Sequence, residues 1–181
     1  MVAEPEAVAG PVLETDRLVL RRFTTGDAPF ILELLNDPGW LEFIGDRGVR
    51  TIEDARAYIM RGPMQMYAKH GFGLYLAELK GDGTPIGMCG LIRRKGLEDV
   101  DIGFAFLPAF RSQGYALEAA AAVMVHARSA LGLGRIVGIT LPRNRASIRL
   151  LERIGLKFER MVTMPDAREA DMLFASDAAA R

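Results

Sequence analysis

Between Phe72 and Leu107 the chain adopts a hydrophobic period of two and keeps it through three runs, Phe72–Leu79, Pro85–Arg94 and Asp99–Leu107. The runs are separated by Lys80-Gly81-Asp82-Gly83-Thr84 and Lys95-Gly96-Leu97-Glu98. Alternation buries one face of a strand, and glycine-bearing loops this short join antiparallel neighbours, so the segment predicts a β-meander. The third run does not turn back. It passes through Pro108 and Arg111-Ser112-Gln113-Gly114 into the longest helical pattern, from about Tyr115 to Leu131. Leu117, Ala120, Ala121, Met124, Ala127 and Leu131 fall on one stripe of that pattern, and Gly132-Leu133-Gly134 stops it. Its alanines allow close packing of the helix on the sheet.

The flanking sequence supplies the rest of the architecture. Arg17–Phe23 alternates as a strand and ends at Thr24-Thr25-Gly26. Asp27 then caps a helix with Phe30, Ile31, Leu34 and Leu35 at helical spacing, stopped by Asn36-Asp37-Pro38-Gly39. A second helix begins near Thr51, where Asp54 completes a weaker capping box; it presents Ile52, Ala55, Tyr58 and Ile59 before Gly62-Pro63 interrupts it. After the long helix come a strand at Arg135–Leu141, a helix at Arg145–Ile154 closed by Gly155, and strands at Leu156–Met164 and Glu169–Ala175. The order βααβββαβαββ predicts an α/β fold with a mixed sheet and helices on its faces. No repeat or Pro/Ser-rich linker divides it, so residues 13–176 are expected to form one domain, between a flexible tail at 1–12 and a frayed end at 177–181.

Composition narrows the function. A chain of 181 residues folds with roughly 70% of its extended surface buried, enough for a core without metal or disulfide. The 23 basic and 23 acidic side chains cancel, which removes the broad electrostatic case for a nucleic-acid or membrane partner. One cysteine and two histidines exclude an intramolecular disulfide and a Cys/His zinc site of ordinary spacing. No apolar run approaches the roughly 20 residues of a membrane span, and the first sixteen residues hold Glu4, Glu6, Glu14 and Asp16 without a base or an apolar stretch of the signal-peptide kind. A cytoplasmic protein, monomer or homodimer, is expected. There is no Gly-x-Gly-x-x-Gly, Gly-Lys-Ser/Thr or Gly-x-Ser-x-Gly, so dinucleotide oxidoreductase, P-loop and serine-hydrolase chemistry have no motif to rest on.

The chemistry is best sought in Asp101-Ile102-Gly103-Phe104-Ala105-Phe106-Leu107-Pro108-Ala109-Phe110-Arg111-Ser112-Gln113-Gly114-Tyr115-Ala116. The first N–H groups of a helix lack intrahelical partners and lie at the positive end of its dipole, so the start of the long helix is an anion site. Gly114 lets backbone donors approach a phosphate, and Arg111 adds a formal charge. The plainer alternative is that Gly114 opens a core helix and Arg111 is a solvated charge.

With these residues in hand, the sequence resembles the GNAT superfamily of acyl-CoA-dependent N-acyltransferases. Arg111-Ser112-Gln113-Gly114-Tyr115-Ala116 matches its Gln/Arg-x-x-Gly-x-Gly/Ala signature between strand and helix. Leu13-Glu14-Thr15-Asp16-Arg17-Leu18 is similar to the opening of the branch that contains ribosomal-protein N-terminal acetyltransferases. Asp101-Ile102-Gly103-Phe104 resembles that branch's Glu-Ile-Gly-Tyr strand, and Asn144-x-x-Ser147 followed by Leu150-x-x-x-x-Gly155-Leu156-x-Phe158-Glu159 resembles its pattern around the next helix.

The resemblance implies a GNAT fold and transfer of an acetyl group from acetyl-CoA, without metal, to an amine acceptor that is a small molecule or a protein N-terminus. It implies that the backbone of Phe104, Ala105 and Phe106 runs beside the pantetheine arm, where this strand splays from Arg135–Leu141, and that Ser112, Gln113, Gly114, Tyr115 and Ala116 give N–H groups to the pyrophosphate. Asn144 would meet the pantetheine amides, or serve only as a helix cap. Many members protonate the leaving thiolate with a tyrosine seven residues after that asparagine; here the position is Leu151, leaving Ser147 as the nearest hydroxyl. For the base, Asp166 matches a water-holding carboxylate of the branch, or a turn residue; Asp101 is the rival, or a strand-edge ion-pair member. Arg143, Arg145, Arg149, Arg153, Lys157 and Arg160 against Glu152 and Glu159 form a basic stretch beside the inferred phosphates, or a solvated face. Trp40, Phe43 and Tyr67 stand where the family builds its acceptor pocket, as an aromatic wall for the substrate or as ordinary core packing; Cys89 and His126 are expected to be packing residues. Because the family tyrosine is missing, a non-catalytic acyl-CoA-binding module of the same fold is the alternative to an enzyme.

Overall fold

The computed structural model describes residues 10–165 and 167–177. Its centre is an eight-stranded sheet in the order β1-β2-β3-β4-β5-β6-β8-β7. The strands are β1 (Pro11–Glu14), β2 (Leu18–Arg21), β3 (Leu74–Leu79), β4 (Pro85–Ile92), β5 (Val100–Phe106), β6 (Ile136–Thr140), β7 (Lys157–Val162) and β8 (Asp171–Ala175). The helices are α1 (Ala28–Leu35), α2 (Pro38–Phe43), α3 (Ile52–Ile59), α4 (Gln65–His70), α5 (Tyr115–Ser129) and α6 (Arg145–Arg153). The expected meander is β3-β4-β5, antiparallel with Leu76 opposite Met88 and Gly90 opposite Gly103.

Three local expectations are corrected. Pro11 begins a short strand paired with β2, inside the segment expected as a tail. Asn36-Asp37-Pro38-Gly39 ends α1 but starts α2: Pro38 sits in the first turn, where its missing N–H costs nothing, and Asp37 caps by accepting from the Trp40 amide. Gly62-Pro63 does not stop the second helix either. The chain makes one π turn at Met60–Met64, which accommodates Pro63, and continues as α4 to Gly71 in the left-handed conformation. The capping box at the start of α3 forms as read, with Thr51 Oγ1 accepting from Asp54 N at 3.1 Å and the Asp54 carboxylate accepting from Thr51 N at 2.9 Å.

Helices cover both faces of the sheet. On one side α5 buries Ala119, Ala120, Val123, Met124 and Ala127 against Ile86, Leu91 and Ile102, with Ile148 and Leu151 of α6 in the same cluster. Ala121, expected on the buried stripe, is exposed, because the apolar residues of α5 surround it and leave the sequence pattern nearly neutral about which face turns inward. On the other side Phe30, Ile31 and Leu34 of α1, Trp40, Ala55 and Ile59 pack on Leu76, Met88 and Leu107. Cys89 is wholly buried in this sheet, as expected, and burial pushes its thiol up.

One seam in the sheet differs from the others. β5 and β6 are parallel and paired only at Val100–Ile136 and Asp101–Val137. Beyond them β5 stays paired to β4 through Phe106, while β6 follows β8 through Thr140. A wedge therefore opens between Ile102–Phe106 and Ile139–Thr140, with sheet on either side.

Candidate active site

The wedge is the narrow part of a cavity of about 930 Å³ that runs from the N-terminus of α5 to the loops beyond β4 and β7. Among the expected site residues, Asp101, Phe104, Ala105, Phe106, Arg111, Ser112, Gly114, Tyr115, Ala116, Asn144 and Ser147 all line it. Residues separated by more than forty positions are thus brought to one surface.

At one end the loop before α5 turns sharply enough that Ser112 has φ 59° and Gly114 φ 85°. Two left-handed residues separated by Gln113, which is outside that region, make the kind of turn in which successive backbone N–H groups can converge on an anion at a helix start. Gly114 is required twice over: its φ strains any other residue, and a Cβ there would stand 3.2 Å from Arg17 Nη2.

Arg17 braces the loop from outside. It donates from Nε to Glu118 Oε2 at 2.6 Å and from Nη1 to the Gln113 carbonyl at 3.0 Å, and its guanidinium lies 4.3 Å from the Tyr115 ring centre. Thr15 Oγ1 donates to the other Glu118 oxygen at 2.6 Å. Burial opposes the charge on Glu118, but these donors outweigh it and hold the carboxyl below its ordinary value. The Leu13–Leu18 segment, which the sequence shows only as a family likeness, therefore has a physical role: Thr15 and Arg17 tie Glu118 and the Gln113 carbonyl to it.

Arg111 does something other than present a free charge. Its guanidinium donates to the buried Asp37 carboxylate and, at 2.9 Å, to the Phe106 carbonyl, tying the cap of α2 to the end of β5. Gly39 makes room, since a Cβ there would meet Arg111 Nη1 at 2.9 Å. The positive potential at the loop is left to backbone amides and to Arg149 and Arg153, which line the cavity. The remainder of the basic stretch is largely matched: Arg143 pairs with Glu169, Lys157 with Asp177 and Arg160 with Glu159.

In the middle of the cavity, Asn144 caps α6 by accepting from Ser147 N at 3.1 Å, which commits its carbonyl oxygen and leaves its amide NH₂ for the cavity. Ser147 lies one turn before Leu151. Leu151 is 1% exposed and packed on β6, where a Cβ on Gly138 would come within 2.5 Å of it, so no proton donor occupies that position.

Asp101 lies at the start of the wedge. It is 1% exposed; Oδ2 accepts from Arg94 Nε at 2.6 Å, and Oδ1 has no hydrogen-bond partner among the described residues. Burial pushes its carboxyl up to about 6 against the opposing pull of Arg94, while the backbone amide of Ile139 eases the charge from across the wedge. Asp171 also lines the cavity and is raised by burial. Asp166 lies outside the described residues; its neighbours Pro165 and Ala167 border the cavity.

Beyond Asp101 the wall is formed by Trp40, Phe43, Ile44, Tyr58, Met66 and Ile92, with Arg47, Arg94 and Lys95. Trp40 and Phe43 are where the sequence suggested an acceptor pocket. Tyr67 is not: it is buried beneath the sheet end, its hydroxyl accepting from Phe23 N at 3.2 Å and donating to the Leu74 carbonyl. Tyr58, Arg94 and Asp171 were missed as site residues. Tyr58 read as part of an apolar helix face, and Arg94 and Asp171 end strands, where polar residues are ordinary; only the fold brings them to the wedge.

Comparison with known proteins assigns the architecture. The acetyltransferase (GNAT) domain family model matches residues 17–157. The uncharacterised N-acetyltransferase YoaA of Bacillus subtilis (strain 168) is 31% identical over 151 residues, covering 82% of this chain and 84% of that protein. A GNAT-family acetyltransferase from Bacillus anthracis superposes with a TM-score of 0.75 at 25% identity, covering 90% of this chain and 96% of that one. The ribosomal L7/L12 α-N-protein acetyltransferase RimL in complex with coenzyme A shares the fold with a TM-score of 0.80 at 17% identity, covering 95% of this chain and all of that one, 100%. A tight turn between strand and helix, a wedge after the second residue pair of the parallel β5–β6 seam, and a family match across most of the chain lead to the same place: this chain belongs to the GNAT family of N-acetyltransferases.

Proposed function

We propose that the protein transfers an acetyl group from acetyl-CoA to a primary amine by direct attack, with both substrates bound in the one cavity. The observation that carries the reading is that one cavity joins the left-handed turn at the start of α5 to a buried carboxylate, Asp101, paired with Arg94. Ser112, Gly114, Tyr115 and Ala116 supply amides to the diphosphate, and the unpaired edge of β5 from Phe104 to Phe106, together with the Asn144 NH₂, lies along the pantetheine arm.

The chain's own groups then divide the chemistry. The ammonium form of the acceptor yields its proton to Asp101, whose carboxyl near 6 is a base matched to neutral pH. The freed amine forms the C–N bond as the C–S bond breaks, and the nitrogen then passes its second proton to solvent, since the amide product keeps only one of the three ammonium protons. Backbone amides at the wedge stabilise the charge that develops on the thioester oxygen, a contribution commonly worth a few kcal/mol. Ser147 donates a hydrogen bond to the departing thiolate, which takes its proton from solvent.

The test is thiol release from acetyl-CoA against an amine panel, alongside calorimetry of acetyl-CoA binding. Turnover that is lost in Asp101→Asn with binding retained supports the reading. Binding without thiol release from any amine defeats it in favour of a non-catalytic acyl-CoA module.

A further inference from the structure

The acceptor end of the cavity is electrically divided. On its floor, Arg94 pairs with Asp101 at 2.6 Å, while Asp171 adds negative charge beside Asp101 and has no ion-pair partner among the described residues. One oxygen of Asp101 is buried without a partner, so this floor still has a hydrogen-bond acceptor to offer. Trp40, Phe43 and Tyr58 line this end together with Arg47, on the loop between α2 and α3, and Lys95 beyond β4. Its neighbour Asp46 is taken by Arg50 at 2.5 Å, and the Asp54 carboxylate by the amides of Arg50 and Thr51. Among the described residues Arg47 has no ion-pair partner. Tyr58, Arg47 and Arg94 line the same cavity.

Resting on the acetyl-transfer reading above, we infer that the acceptor is a small zwitterion, an amine that carries an apolar body and an anionic group, of the kind an apolar amino acid provides. The ammonium meets the free carboxylate capacity at Asp101 and Asp171, the apolar body lies on Trp40, Phe43 and Tyr58, and the anion reaches Arg47. A polyamine would set a second ammonium against Arg47, a like-charge contact that selects against it. An amine without an anion leaves Arg47 solvated and gains nothing from it.

The experiment compares each of the common amino acids with its carboxamide in thiol release, with phenethylamine and spermidine as non-zwitterionic amines. The carboxamides have the less basic amine, so more of it is neutral and reactive; a preference for the free acid therefore reports the anion contact. The expected result is kcat/KM for the best apolar amino acid at least tenfold above its carboxamide and above spermidine. In Arg47→Ala that ratio falls toward one, and in Arg47→Glu it inverts. Arg47 is exposed and unpaired, so both variants retain the fold, which circular dichroism checks. Carboxamides, phenethylamine or spermidine used as well as the free acids, or a ratio unmoved in Arg47→Glu, overturns the inference. If no amine releases thiol, the acetyl-transfer reading is what has failed, and calorimetry on CoA-saturated protein then decides the acceptor chemistry: Arg47-dependent binding of an apolar amino acid supports it, and no binding overturns it.

Discussion

Asp101→Asn separates what the buried carboxylate does for catalysis from what it costs the fold. Asp101 is 1% exposed, and its carboxyl is displaced from an ordinary 3.8 to about 6. That displacement corresponds to about 3 kcal/mol of native-state penalty for holding the charge at neutral pH. The sign follows from the direction. The folded state binds the proton more tightly than the unfolded one, so the contribution to stability is fully present below about pH 4 and is lost as pH rises through 6. Asparagine resembles the protonated form in size and carries no charge. The variant should therefore match the parent near pH 4 and exceed it by up to about 3 kcal/mol above pH 7, a rise in Tm of about 6–12 °C for a chain of this size. Activity should move the opposite way: in the parent, kcat/KM rises with pH through an apparent pKa near 6, and Asp101→Asn loses that limb with most of the rate. Chemical denaturation at several pH values and thiol-release kinetics read the two effects independently. A stability difference that is flat with pH, or a variant that keeps its rate, would refute the reasoning.

Gly114→Glu should lower acetyl-CoA affinity at least tenfold by calorimetry, because it adds a Cβ at φ 85°, 3.2 Å from Arg17, and a negative charge at the anion loop. Glu118→Gln removes the charge that fixes Arg17 and hence the Gln113 carbonyl; KM for acetyl-CoA should rise several-fold with little change in kcat, and an equal fall in both would contradict a positioning role. Ser147→Ala should lower kcat by about an order of magnitude or less while leaving KM for acetyl-CoA in place, since its contribution is one hydrogen bond to the thiolate.

The residues that were legible in the sequence are those whose position follows from local rules. A period of two with short glycine loops specifies the β3-β4-β5 meander, and a basic residue and glycine between strand and helix specify the loop before α5. Asn144 is readable as a cap for the same reason, whereas Ser147 is singled out only by the family resemblance. What escaped is tertiary. The engagement of Arg111 with Asp37 joins residues 74 positions apart and turns a supposed anion ligand into a tie between α2 and β5. Arg94 acquires meaning only because the β4–β5 pairing carries it back over Asp101. The face of α5 was misjudged at Ala121 because an alanine-rich helix has apolar residues on every side. The π turn at Met60–Met64 depends on how Pro63 is absorbed by its neighbours.

The interrupted seam between β5 and β6 has a thermodynamic side. Two strands that part after Asp101 and Val137 leave a stretch of backbone donors and acceptors in the middle of the sheet with no ladder to join. On the function proposed above, a pantetheine arm laid there would act, through its two amide groups, as a short surrogate strand bridging β5 and β6 in the eight-stranded sheet. Ligand binding and completion of the sheet then become one equilibrium, and ligand at about a hundredfold over Kd adds about 2.7 kcal/mol to the stability of the whole chain. The gain should be greatest where the ladder was missing, so amides of Ile102–Phe106 and Ile139–Thr140 should show the largest slowing of hydrogen exchange when acetyl-CoA is present.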